Sequence, residues 1–144
     1  MEFIKAEEFL KQPVEVQKVF IEWWKPNIGD LFAWASDKDI QDCREVQCCL
    51  SENTVISSSR WKGIKEGERL PLLSEGQLRQ FIEDKKNGII DITHDICNGG
   101  YNFEIWLINE MKRLDNDEYF SLGNNLLQAY WKVAIEIAKS ESNE

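Results

Sequence analysis

The chain has 144 residues, enough for one domain with a substantial core, and its 42% hydrophobic and 30% charged residues mark a folding sequence. With 26 acidic against 17 basic residues it carries a net charge of −9 and a pI near 4.7, which argues against free nucleic acid as a direct ligand, because phosphate binding needs clustered Lys and Arg. No segment approaches the ~20 apolar residues of a membrane span, and Met1–Glu8 lacks the basic start and apolar run of a secretory signal, so a cytosolic protein with no membrane contact is expected.

The first helix is expected over 13–24. Pro13 suits its first position, and Val16, Val19, Phe20 and Trp23 fall at helical spacing, widened by Trp24. Pro26 then turns Lys25 away from helix. A strand is expected at 31–35, a polar turn at 36–42, and a hairpin from 45–50 and 53–58 around Ser51-Glu52. A charged loop, 60–69, carries Trp61.

Ser74-Glu75-Gly76-Gln77 fits the S-x-x-Q capping box, flanked by Leu73 and Leu78 as a hydrophobic staple, and predicts a helix over 75–86 that stops at Gly88. Ile90, Ile92 and His94 alternate against Asp91, Thr93 and Asp95. After the turn residues Cys97-Asn98-Gly99-Gly100, alternation resumes at Tyr101, Phe103, Ile105 and Leu107, so a hairpin is expected, with a helix over 103–114 as the competing reading. A polar turn at 114–118 and a short strand at 119–120 lead to a last helix, 124–139, with 140–144 frayed. Three helices and about six short, mainly antiparallel strands make an α+β fold in one domain, 1–144.

No constellation carries catalysis by its spacing. Phosphate-loop, dinucleotide and nucleophile-elbow motifs are absent, so no cofactor and no catalytic residue is assigned. Cys43, Cys48 and Cys49 with His94 and Cys97 supply soft ligands, but their spacing matches no paired zinc motif and no metal is assigned. In a cytosolic protein the four cysteines read as ordinary thiols. A Cys–His hydrolase would have to use His94, the single histidine, with Cys97 as nucleophile and Asp91 or Asp95 orienting the ring. A solvated turn histidine explains the same residues. Asp37, Asp39, Asp42 and Glu45 gather in one loop, and Asp115, Asp117 and Glu118 in another. Such clusters are either solvated loops or a negative surface for a basic partner. Trp34 and Trp61 stand beside charged loops, outside any helical stripe, and join Asp37, Asp39 and Asp42 as partner-binding candidates. Arg60, Lys62, Lys65 and Arg69 form the one dense basic group, the candidate site if the protein instead sequesters a small nucleotide signal.

Three stretches taken together carry a family resemblance. They are Phe9–Phe20 running into Trp23-Trp24-Lys25-Pro26 and Gly29-Asp30-Leu31-Phe32; Leu70–Glu83; and Asn124–Ala134. This set resembles a family of small proteins encoded by phages and prophages of Gram-positive anaerobic bacteria. No activity is assigned to that family, so no site residue carries over from it. The resemblance implies a phage accessory protein made in the host cytosol. Small acidic phage proteins of this kind often bind and block a host protein, including defence nucleases, in the manner of anti-CRISPR proteins. The expectation is therefore a non-enzymatic protein-binding function, with a partner that presents a basic nucleic-acid-binding groove.

Overall fold

The computed structural model describes residues 2–34, 47–48, 69–108 and 114–143. Among them are four helices and six strands, an α+β architecture. The chain divides into two compact units, Phe3–Leu73 with Ala138–Glu144 and Ser74–Ile137 with Met1–Glu2.

In the first unit, α1 (Ala6–Leu10) precedes α2 (Val14–Trp23). Pro13 is the N-cap of α2 and not its first residue: its φ of −54° is helical, but its ψ of 150° is extended. Its carbonyl still accepts from the amides of Val16 and Gln17, both at 3.0 Å. Val16, Val19, Phe20 and Ile21 are buried, and Phe20 meets Phe9 edge to face at 6.0 Å. Gln17 is the buried polar side chain of this face. Its Nε2 donates to the carbonyls of Gln12 at 2.8 Å and Leu10 at 3.3 Å, so the end of α1 is satisfied by a side chain of α2. Trp24 leaves the helix with extended ψ and is buried with Phe32, while Trp23 packs against that pair. The Trp24 indole N–H donates to Asp30 Oδ2 at 3.1 Å, and the same oxygen accepts from the Asn27 amide at 3.0 Å.

Strand β1 (Leu31–Trp34) is the centre of a three-stranded antiparallel sheet, between β2 (Gln47–Cys48) and β3 (Arg69–Pro71). Arg69, expected in a loop, opens β3 opposite Trp34. The Ile4 amide ties the N-terminal segment to the Leu73 carbonyl at 2.8 Å. The expected turn at 36–42 and the second hairpin strand at 53–58 lie outside the described residues.

In the second unit, α3 (Glu75–Lys86) has the expected bounds. Ser74 Oγ accepts from the Gln77 amide, and Gln77 Oε1 accepts from the Ser74 amide at 2.9 Å. Leu73 and Leu78 are both fully buried. The helix stops on Asn87 in the left-handed region (φ 50°), and Gly88 already belongs to the next strand. Asparagine tolerates that conformation, so the stop falls one residue earlier than the glycine suggests.

Strands β4 (Gly88–Asp95), β5 (Gly100–Ile108) and β6 (Leu114–Tyr119) form an antiparallel sheet in sequence order. The hairpin therefore prevails over the alternative helix. Burial decides it, since Phe103 and Ile105 are buried while the alternate residues Asn102, Glu104 and Trp106 are partly exposed. Residues 114–118, expected as a turn, are strand. Their Asp and Asn residues have low strand propensity, but backbone pairing with β5 overrides it at a sheet edge.

Helix α4 (Leu126–Ser142) begins two residues later than expected, where Asn125 Oδ1 accepts from the Gln128 amide at 3.0 Å and caps it. It also continues past 139, because Ser142 Oγ donates to the Lys139 carbonyl at 2.9 Å and the chain there stays helical. The second unit holds 126–137 of α4 and buries Leu127, Ala129, Tyr130, Trp131, Val133, Ala134 and Ile137. Tyr130 meets Phe103 edge to face at 4.8 Å. No described helix is long and apolar enough to cross a membrane.

Candidate functional site

Most residues singled out by sequence lie outside the described part of the chain: Asp37, Asp39, Asp42, Trp61, Arg60, Lys62 and Lys65, with Cys43 and Cys49. Trp34 and Arg69, candidates for two different ligands, occupy directly opposed backbone positions in β1 and β3. Cys48 stands opposite Leu31.

His94 can be placed in detail. Its ring stacks on Tyr101, its cross-strand partner, with centroids 4.0 Å apart and planes 10° from parallel. Nε2 lies 3.0 Å from Asn124 Oδ1, within hydrogen-bond distance. Neither expected aspartate orients this ring. Asp91 is three residues away along the strand and so on the opposite face of the sheet. Asp95 closes the turn instead: its Oδ1 accepts from the Cys97 amide at 3.2 Å and its Oδ2 from Asn98 Nδ2 at 3.0 Å. Cys97 is exposed on that turn. Among the described residues no group of three His, Cys, Asp or Glu side chains is arranged to hold a metal ion.

Beside this turn, Gly99 and Gly100 (φ 94° and 89°) lie against Gly123. The Tyr101 amide donates to the Gly123 carbonyl at 2.8 Å, the Leu122 amide to Tyr101 at 2.9 Å, and the Gly123 amide to Gly99 at 2.9 Å. This triple contact lashes the hairpin end to the segment entering α4.

The strand register assembles one surface that residue spacing alone did not disclose. Gly88, Ile90, Ile92 and His94 share one face of the β4–β5 hairpin with Leu107, Ile105, Phe103 and Tyr101, and this face carries the buried side chains. The described side chains of the other face are exposed or partly exposed. On it, Asp91 stands opposite Glu104, and Glu104 opposite Glu118, so three carboxylates cross three strands in one row. The next row is Ile89, Trp106 and Asn116. Ile89 is 59% exposed, and Trp106 is partly exposed. Like charges directly opposed destabilise a sheet. The structure relieves this row with one amide, Asn116 Nδ2, which donates to Oε1 of both Glu104 and Glu118. Ion pairs join Lys18 to Glu22, Arg79 to Glu83 and Lys86 to Asp117, and none of these reaches the row. Two signals could have located it in the sequence: the four-residue turn 96–99 sets the pairing of 91 with 104, and the acidic run at 115–118 supplies the third member.

Comparison with known protein families, with curated proteins and with solved structures finds no match for this chain.

Proposed function

We propose that the protein is a non-enzymatic binding protein that engages a basic protein partner. The observation that carries this reading is the row Asp91–Glu104–Glu118, three mutually repelling carboxylates with no Lys or Arg paired to them among the described residues. Among the described residues the row receives one amide and no cation, and a cationic partner would supply the remaining compensation. The net charge of −9 adds a long-range attraction toward the same class of partner. In its concrete form the proposal is a phage-type accessory protein, acting in the host cytosol, that blocks a host defence or nucleic-acid-handling protein at its basic groove. The family resemblance read from the sequence is what favours that form.

The test is affinity capture from host lysate at two ionic strengths. A stoichiometric protein of high pI, held at about 0.05 M salt and released near 0.5 M as screening shortens the reach of the charges, is the expected result. Recovery of no stoichiometric partner, or of an acidic one indifferent to salt, refutes the proposal.

A further inference from the structure

We infer that the face of the β4–β5–β6 sheet that carries the acidic row is the docking surface for an arginine-bearing segment of the partner, with one guanidinium lying on Trp106 while it pairs with Glu104. The inference rests on the binding function proposed above and names the residues and the side chain that would carry it.

Glu104 and Trp106 are two residues apart on β5, hence on the same face and about 7 Å apart along the strand. Glu118 flanks Glu104, and Asn116 flanks Trp106. The Asn116 amide, shared between the two Oε1 atoms, holds the glutamates side by side and leaves each Oε2 without a partner among the described residues. Two oriented carboxylates beside a partly exposed indole suit a guanidinium, which is planar, donates through several N–H groups and stacks on aromatic faces. Lysine offers a point charge and uses only half of this arrangement. Asp91 and the exposed Ile89 extend the surface across β4, so neighbouring side chains of the segment meet one acidic and one apolar position there.

Other occupants fit less well. A second copy related by a twofold axis would set the row against itself. Nucleic acid and anionic lipid would meet the carboxylates with like charge. Polyamines share the positive charge but have no planar group for Trp106.

The full chain is titrated against fluorescein-labelled peptides of about ten residues, alternating Gly with Arg or Gly with Lys, by anisotropy at about 0.05 M salt. The Arg peptide is expected to bind about 5-fold more tightly than the Lys peptide. Trp106→Ala is expected to erase that preference, and Trp106→Phe, which preserves more of the packing, to keep part of it. Glu104→Gln/Glu118→Gln is expected to weaken Arg-peptide binding about 10-fold. Glu2→Gln/Glu15→Gln changes net charge equally at exposed positions elsewhere and is expected to shift it less than about 2-fold. Equal losses in the two double variants, equal affinity for both peptides, or spermidine displacing the Arg peptide as effectively from Trp106→Ala as from wild type would overturn the inference. So would a wild type that takes neither peptide. The lysate capture decides the binding function separately: a salt-released basic partner that binds the face variants as well as wild type sinks the docking surface alone.

Discussion

Replacing Gly100 with alanine is expected to cost about 2–5 kcal/mol of folding stability. Its φ is +89°, where a Cβ costs about 1–2 kcal/mol by backbone strain alone. The Cβ would also fall within the van der Waals radius of the Gly123 carbonyl, which must move away. That carbonyl accepts from the Tyr101 amide at 2.8 Å, and the returning Leu122 amide bonds Tyr101 at 2.9 Å. Losing or stretching these two bonds adds about 0.5–1.5 kcal/mol each. Two reference substitutions calibrate the effect. At Gly123 (φ +86°) the nearest atom to a new Cβ is Lys132 Nζ at 3.6 Å, so Gly123→Ala should show strain only, about 1–2 kcal/mol. At Gly76, in the first turn of α3, a Cβ meets nothing within 4 Å, and Gly76→Ala should stabilise by about 0.5 kcal/mol. Urea unfolding followed by tryptophan fluorescence measures all three. A Gly100 variant no less stable than the Gly123 variant would refute the steric reasoning.

Three further outcomes are expected. Asp30→Ala strands the buried Trp24 indole N–H and should cost about 1–3 kcal/mol in urea unfolding, with Asp30→Asn closer to wild type; equal effects would show that the indole bond is dispensable. Burial raises the Tyr130 and Tyr119 phenols above their ordinary 10.0, against the opposing charges of Arg79 and Lys86 respectively. The folded protein then keeps protons that the unfolded chain releases, so stability present below pH 10 falls as pH rises beyond it, and Tyr130→Phe should flatten that fall in a series of thermal melts. Glu104→Gln removes the central charge of the acidic row and should raise stability by about 0.3 kcal/mol while weakening Arg-peptide binding; destabilisation would mean that the row is structurally favourable after all.

The parts of this fold that were legible in the sequence are those settled within a few residues of themselves. α3 is the clearest, because Ser74 and Gln77 specify its start by reciprocal hydrogen bonds inside one turn. The β4–β5 hairpin was legible from alternation and from Asn98-Gly99-Gly100. Leu114–Tyr119 was misread, because Leu-Asp-Asn-Asp-Glu-Tyr becomes a strand only through its partner, and no local preference of those residues announces it. Asn87 displaced Gly88 as the helix stop for a related reason: two residues could each take the left-handed position, and the earlier one does. The candidate site was legible only in its chemistry. Negative charge was expected in two clusters, and the one at Asp115, Asp117 and Glu118 supplies one member of the row. Asp37, Asp39 and Asp42, with the tryptophans expected beside charged loops, Trp34 and Trp61, have side chains that are not among those described. The row at Asp91, Glu104 and Glu118 needs two strand registers to exist as a row, and residues 13 and 14 apart in sequence look unrelated until those registers are known.

The lashing of Gly99 and Gly100 to Gly123 has a consequence for the order in which this unit opens. At its turn a β-hairpin is held by the chain itself, and fraying ordinarily starts from the free strand ends. Here the turn end is bonded to the segment that enters α4, so it can loosen only if residues 122 and 123 detach with it. The amides of Tyr101, Leu122 and Gly123 should therefore exchange with solvent through one shared opening event, with one common opening free energy. The opposite end of the hairpin, around Gly88 and Leu107, would then open by a separate route, and the acidic row between them would outlast local fraying at either end.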